Sequence, residues 1–202
     1  MSKIKNLKTH KQITESHCGP AVVKMLLGAI GVETTQEELT KNAGVVKTID
    51  DFGMTPRELA KSVANTTKRA AFWYKEGSSI KEIAQILNTD HPVGVDWQGM
   101  FYAEGETESI KRFHKGDYGH YSVVKKVDFK KKELVIADPY TDFAHKDRRI
   151  PIDVFENRWF DMEESRYLPS WVGFGRRRTN RVIFLITKPD DDFPTKLDME
   201  RL

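Results

Sequence analysis

The spacing of apolar residues changes near residue 90, and this change restricts the folds that the chain can adopt. Before it, apolar residues recur every three or four positions, as in residues 18–30 and 79–87, which is typical of amphipathic helices. After it, short runs rich in valine and isoleucine are typical of strands. The pattern predicts an α+β fold, with a helical N-terminal lobe at about 11–90 and an antiparallel β-sheet C-terminal lobe at about 91–188.

Short motifs predict where the elements begin and end. Thr35, Thr55 and Ser79 are each followed three positions later by glutamate, the arrangement of a capping box. A further short helix is predicted from Asp153, which would cap it. Strands are predicted in four runs, residues 91–97, 120–129, 133–139 and 181–187. The lysines at 130–132 would form the tip of a hairpin between the second and third runs.

The size and charge of the chain exclude several classes of protein. Its 202 residues suit a single domain, predicted over residues 1–188 and followed by an exposed tail at 189–202. The net charge is only +3, so the chain lacks the basic excess expected of a nucleic-acid-binding protein. The sequence has no apolar run of the roughly 18–20 residues that a membrane span needs, and no signal-peptide pattern at its start. A cytoplasmic protein is therefore expected.

A single cysteine, Cys18, lies just before a Gly-Pro pair and the first predicted helix. One cysteine can form neither an internal disulfide nor a thiolate cluster for zinc. A site made of Cys18, His114, His120 and His145 fits no compact zinc spacing, so we expect no metal, and we expect no cofactor. Cys18 is then either a buried core residue or a thiol nucleophile activated at a helix N-terminus.

A nucleophilic thiol needs a base, and His120 is the best placed of the six histidines. It begins a predicted buried strand, and Gly119 before it permits close approach of a neighbouring group. If the hairpin turns near residues 130 and 131, paired residue numbers sum to about 260. His120 then lies close to Asp138, which could orient its ring, and a one-residue bulge would bring the two together. The alternatives are a histidine bonded within the sheet and an aspartate that forms a turn. Adjacent helical residues do not face each other, so His17 is interpreted as a cap or surface residue.

Gln12 precedes Cys18 with five residues between them. Its side-chain N–H, together with the backbone N–H of Cys18, could bind the oxyanion of a tetrahedral intermediate. The intervening segment is long enough for an extended chain to fold back over the start of the helix. The residues together predict a Cys–His–Asp site with a glutamine in its oxyanion hole.

The order of these motifs resembles family 39 of the cysteine peptidases over roughly residues 11–161. The shared pattern is Gln, five residues and Cys-Gly-Pro-Ala, followed by Gly-His-Tyr-Ser-Val-Val and Ala-Asp-Pro-Tyr. Members of this family are papain-like domains that remove double-glycine leaders from bacteriocin precursors, and some are stand-alone proteins. The resemblance implies a papain-like fold, a peptide or protein substrate, and a separate transporter or precursor peptide as partner. It assigns Cys18 as the nucleophile and His120 as the base. It also assigns Asp138 as the group that orients His120, and Gln12 as the oxyanion donor.

Two features depart from the family pattern. The leader peptidases are usually fused to membrane transporter segments, and this sequence shows none. In addition, residues 97–118 form an added stretch before His120, which could act as a lid or a substrate wall. Residues 168–181 are predicted as a loop whose arginines, within 176–181, are solvated or bind an acidic substrate. The predicted function is a thiol protease that hydrolyses a peptide bond. Two alternatives share the fold: an acyltransferase that passes the acyl group to an amine, and a non-catalytic peptide-binding module.

Overall fold

A seven-stranded antiparallel sheet lies at the centre of the structure, a computed structural model that describes residues 2–5, 7–99, 119–164 and 176–202. Its strands are, in chain order, β1 (Ala71–Lys75), β2 (Val93–Gln98), β3 (Gly119–Asp128), β4 (Glu133–Ala137), β5 (Asp147–Pro151), β8 (Val182–Thr187) and β9 (Glu200–Arg201). The remaining strands, β6 (Phe160–Glu164) and β7 (Arg176–Asn180), pair with each other. The order across the central sheet is β5-β4-β3-β2-β8-β1-β9.

Helices cover both faces of this sheet. They are α1 (Cys18–Ala29), α2 (Gln36–Ala43), α3 (Ile49–Phe52), α4 (Pro56–Thr66), α5 (Ile80–Asn88) and α6 (Ile152–Arg158), with a 3-10 helix at Phe193–Leu197. Side chains of α1, α2 and α4 pack on one face and those of α5 and α6 on the other, forming two apolar cores. Successive side chains of β8 point to opposite faces of the sheet. Phe184 and Ile186 join the first core, and Ile183 and Leu185 join the second. The α+β fold class predicted from the sequence is confirmed.

The predicted starts of three helices are confirmed, with one difference in bonding. Helices α4 and α5 begin with complete capping boxes at Thr55 and Ser79. Thr35 caps α2 and accepts from the N–H of Glu38. The carboxylate of Glu38, however, accepts from the hydroxyl of Thr34, at 2.8 Å. No helix within the described ranges is long and apolar enough to cross a membrane.

The start of α6 differs from the prediction. Its N-cap is Pro151, not Asp153. Strand β5 pairs with β4 as far as Pro151, and the N–H of Ile152 donates to the carbonyl of Lys132 at 2.9 Å. The helix therefore begins directly after the strand. Asp153 lies in the first turn, where its negative charge interacts favourably with the helix dipole.

The sheet extends into two parts of the chain where the sequence pattern predicts no strand. Strand β1 belongs to the predicted helical lobe, yet it lies between β8 and β9. Within the predicted exposed tail at 189–202, β9 pairs with β1 and the side chain of Met199 is buried, while both residues of β9 are exposed. The N–H of Leu202 also donates to the carbonyl of Phe72, at 3.1 Å. The last residues thus close one edge of the sheet.

Two further predicted features fall only partly within the described residues. Residues 168–175 of the predicted loop lie outside them, and residues 176–180 form β7, so the loop prediction is wrong there. Of the added stretch at 97–118, residues 100–118 lie outside the described part of the chain.

Two arginines of the cluster at 176–181 contact groups of the same chain. Arg177 binds the carboxylate of Glu76 at 2.7 Å. The guanidinium of Arg178 lies over the ring of Phe160, 4.2 Å from its centroid. The first contact connects the β6–β7 pair to the residue that follows β1, and the second lies within the pair.

Candidate active site

The β3–β4 hairpin places His120 and Asp138 at its open end. Val123 pairs with Ala137, so the predicted sum of 260 holds there. The register shifts by one residue next to Lys126, but this bulge lies on the turn side of that pair and does not change the register towards His120. Beyond the last pair, Oδ1 of Asp138 lies 2.8 Å from Nε2 of His120. The two side chains predicted to meet are therefore in hydrogen-bond contact.

Cys18 is the first residue of α1 and is buried, with 8% of its surface exposed. The segment before it is bonded to neighbouring elements on two sides. The N–H of Gln12 donates to the carbonyl of Pro139 at 2.9 Å, and the hydroxyl of Ser16 donates to the carbonyl of Asp50 at 2.9 Å. The first bond holds the segment before α1 against the open end of the hairpin, and the second holds it against α3.

The ring of His120 lies between the thiol and the carboxylate. Only 2% of its surface is exposed. Nε2 faces Asp138, and the thiol of Cys18 lies close enough to the same ring to interact with it. Because the carboxylate occupies Nε2, Nδ1 is the ring nitrogen left for the thiol. The structure therefore brings together three of the four residues singled out in the sequence.

The carboxylate of Asp138 is fully buried and binds three donors of the described residues. Oδ1 binds the ring of His120 and the N–H of Tyr140, the latter at 3.0 Å. Oδ2 accepts a hydrogen bond from Nη1 of Arg148 at 2.8 Å. Donors thus engage both oxygens of a carboxylate that has no contact with solvent.

These contacts shift the pKa values of the histidine and the aspartate in opposite directions. Burial acts to lower the pKa of His120, but the negative charge and hydrogen bond of Asp138, together with the neighbouring Cys18, outweigh it and raise this pKa to about 10. Burial acts to raise the pKa of Asp138, but the positive charges of His120 and Arg148 and the hydrogen bonds keep it below its usual value. The pair is accordingly an imidazolium and a carboxylate at neutral pH.

The raised pKa of His120 predicts that stability falls in alkaline solution. The ordinary pKa of histidine is 6.5, and that of His120 in the folded protein is about 10. Between these pH values the folded state therefore binds one more proton than the unfolded state. The stabilisation is complete below about pH 6.5 and declines by about 1.4 kcal/mol per pH unit towards pH 10. Urea unfolding of the wild type and of His120→Gln should show a difference in unfolding free energy that shrinks across this range. A difference that stays constant would mean that the folded protein holds a neutral His120.

Gln12 lies beside this group, but its side chain bonds to its own loop. Nε2 donates to the carbonyls of Thr14 at 2.8 Å and Glu15 at 2.9 Å, which uses both amide N–H bonds. Oε1 is a buried acceptor without a hydrogen-bond partner among the described residues. A role in binding an oxyanion would require this side chain to turn, and that role stays a prediction.

Other residues discussed from the sequence occupy defined places. His17 is the N-cap of α1 by position, but it is buried and bonds the hydroxyl of Thr14 at 2.6 Å, so it is not a surface residue. A Cβ on Gly119 would collide with the carboxylate of Asp161, which is the close approach expected at that glycine. His114 lies outside the described residues.

Arg148, the charged partner of Asp138, is not among the site residues predicted from the sequence. This residue lies on β5, where exposed and buried positions alternate, so that Arg148 is buried while Arg149 is exposed and binds Glu133. The only sequence signal is a polar strand with two adjacent arginines, and it does not show which of them faces inward.

Solved structures with the same fold are peptidase domains. A protein described as a C39-like peptidase from Bacillus anthracis matches with a TM-score of 0.60 and 16% identity, over 91% of this chain and 96% of that one. The peptidase domain of Streptococcus ComA, a bifunctional ABC transporter of a quorum-sensing pathway, matches with a TM-score of 0.55 and 16% identity, over 90% and 98%. A double-glycine motif protease from an AMS/PCAT transporter, solved with its leader peptide, matches with a TM-score of 0.51 and 16% identity, over 89% and 90%. These matches confirm the predicted papain-like fold.

A comparison of the whole sequence with family models agrees with the fold. A search of curated protein sequences gives no match. The model of the Peptidase C39-like family matches residues 4–167, which is most of the chain. The resemblance seen in the sequence motifs is thereby confirmed, and the chain belongs to the Peptidase C39-like family.

Proposed function

We propose that this chain is a cysteine peptidase in which Cys18 is the nucleophile, His120 the general acid and base, and Asp138 the group that orients His120. The observation that carries the proposal is the buried ring of His120, which is bonded to the carboxylate of Asp138 and lies next to the thiol of Cys18. A thiol at a helix N-terminus beside an imidazolium is the arrangement in which the reactive thiolate is favoured.

The contacts of His120 support a two-step hydrolysis. In the first step, Sγ of Cys18 attacks the carbonyl carbon of the scissile peptide bond. His120 gives its proton to the departing amine, the C–N bond breaks and a thioester forms on Cys18. In the second step, His120 takes a proton from a water molecule that attacks the thioester, the C–S bond breaks, and the acid is released. Asp138 keeps the ring of His120 in the orientation that both steps need.

The oxyanion of each tetrahedral intermediate would be bound by the backbone N–H of Cys18 and the amide of Gln12. Supporting this assignment, the backbone of Gln12 is bonded to Pro139, next to Asp138. Its amide N–H groups are bound to backbone carbonyls of the same loop, so binding an oxyanion would exchange one of these bonds. The oxyanion hole therefore forms fully only when the substrate binds.

The substrate class that we propose is a peptide or protein cut after small residues, as in a double-glycine leader. Support comes from the family and from the related double-glycine protease that was solved with its leader peptide. The partner that we propose is a separate precursor peptide or transporter, and the proposed site of action is the cytoplasm.

The rate at which iodoacetamide alkylates Cys18 tests this proposal without a known substrate. Near pH 6 we expect the folded wild type to react at least about tenfold faster than the same protein unfolded in urea, because the imidazolium favours the thiolate. His120→Gln should lose this advantage. His91→Gln is the matched control, since His91 is also buried but contacts Lys3, Thr89 and Asp191 and none of the assigned site residues.

Two results would contradict the proposal. If Cys18 reacts only after unfolding, it is a core cysteine and the chain has kept the fold without the chemistry. If it reacts quickly but equally in His120→Gln, the thiol is accessible without the assigned base. If Cys18 proves reactive, added amines distinguish hydrolysis from acyl transfer, because an acyltransferase forms amide products in proportion to the amine concentration.

A further inference from the structure

The carboxylate of Asp138 has an unequal set of partners on its two oxygens. His120 and the N–H of Tyr140 both bind Oδ1, at 2.8 Å and 3.0 Å. Arg148 binds Oδ2, at 2.8 Å. A carboxylate held at one oxygen can rotate about its Cβ–Cγ bond, whereas one held at both oxygens cannot rotate without breaking a bond. The bond to Arg148 is thus what defines which oxygen faces the histidine.

We infer that Arg148 is a positioning residue, whose guanidinium holds Asp138 in the orientation that binds His120. The inference rests on the proposed function, because it assigns a role within the same site. The bond that links Arg148 to the site is the one to Asp138, and none of the described bonds joins it to the thiol.

The surroundings of Arg148 fit this role better than that of a surface charge. Arg148 is 8% exposed and Asp138 is fully buried, so their interaction is little screened by solvent. The central carbon of the guanidinium lies over the ring of Phe143, 3.7 Å from the ring centroid. This contact restricts where the guanidinium can lie, and its rigid fork of N–H donors has a geometry that an ammonium group lacks.

The fold also joins the two partners through one short piece of chain. Asp138 directly follows β4, Arg148 is the second residue of β5, and Ile136 pairs with Arg148 in the register of the two strands. Phe143 lies in the connection between them. The same β4–β5 unit thus carries the orienting carboxylate, its charged partner and the aromatic ring that supports the partner.

The adjacent arginine on β5 provides a matched control. Arg149 has the opposite orientation on the strand, is exposed, and binds the carboxylate of Glu133. Replacing Arg148 and Arg149 in turn by methionine removes the same charge from the same strand. Only the first replacement leaves Oδ2 of Asp138 buried without its donor, so that the carboxylate either takes up a proton or turns away from His120.

The test uses iodoacetamide as the probe, near pH 6, on the full chain. We expect Arg148→Met to alkylate Cys18 about tenfold more slowly than the wild type, because Asp138 would no longer hold the ring of His120 in place beside the thiol. Arg149→Met should react at the wild-type rate. Arg148→Lys should recover part of the loss, because it restores a positive charge but not the planar pair of donors. Near-ultraviolet circular dichroism, recorded on each variant, ensures that only folded protein is compared.

A double-mutant cycle separates positioning from a general loss of structure. If Arg148 acts through Asp138, then Arg148→Met should cause little further slowing in an Asp138→Asn background. Equal slowing in both backgrounds, or an unchanged rate in Arg148→Met, would overturn the inference. If the wild type itself shows no alkylation that depends on His120, the proposed function fails, and that result is visible before any Arg148 variant is made.

Discussion

Peptide hydrolysis is expected to disappear when Cys18 is replaced by alanine, with the fold unchanged. In the proposed mechanism no other group forms the thioester, so kcat should fall by at least about 10⁴-fold. The side chain removed is small, and the free energy of unfolding should change by no more than about 1 kcal/mol. The measurement is release of aminomethylcoumarin from peptides that end in Gly-Gly, with mass spectrometry to detect the acyl-enzyme in the wild type.

Cys18→Ser serves as the companion variant, because it keeps the size and hydrogen-bonding ability of the side chain while providing a much weaker nucleophile. It should be as inactive as the alanine variant under the same conditions. Hydrolysis that survives in Cys18→Ala at a tenth or more of the wild-type rate would remove Cys18 from the mechanism.

Replacing Asp138 by asparagine is expected to affect both activity and stability strongly. An amide has one acceptor oxygen, whereas His120 and Arg148 both donate to the carboxylate. One of these buried cations therefore loses its partner, and removing one member of a buried charged group typically costs about 3–5 kcal/mol of folding free energy. The ring of His120 also loses the charge that keeps it protonated, and kcat should fall by about 10²–10⁴-fold.

Asp147→Asn is the control for this variant. Asp147 lies nearby on β5 and also binds a cation, Lys125 at 2.6 Å, but its side chain is 49% exposed. An exposed pair of this kind contributes at most about 1 kcal/mol, so this variant should resemble the wild type in both unfolding free energy and kcat. The assignment of Asp138 fails if the two asparagine variants behave alike.

Local patterns in the sequence account for the parts of the fold that depend on nearby residues. The capping boxes at Thr55 and Ser79 close within four residues, and the β3–β4 hairpin closes over a short turn. Counting along that hairpin is enough to bring His120 near Asp138. The site could be predicted this far because the pairing of two adjacent strands leaves few alternatives.

Parts that depend on distant residues could not be predicted in this way. Strand β1 becomes a strand because it lies between β8 and β9, which are more than a hundred residues later in the chain. Arg148 faces inward only because of the register between β4 and β5. The bonds of the Gln12 amide depend on the path of its own loop, and the spacing to Cys18 does not reveal that path.

The distance along the chain between Cys18 and His120 has a consequence for the time at which the protein becomes reactive. The thiol and the start of α1 are synthesised about a hundred residues before the histidine, which at about 5–20 residues per second corresponds to roughly 5–20 s of translation. Asp138 and Arg148 follow later still. Throughout that interval the nascent chain lacks His120, the base assigned to Cys18. Under the proposed function, the chemistry would therefore begin only after the sheet is complete.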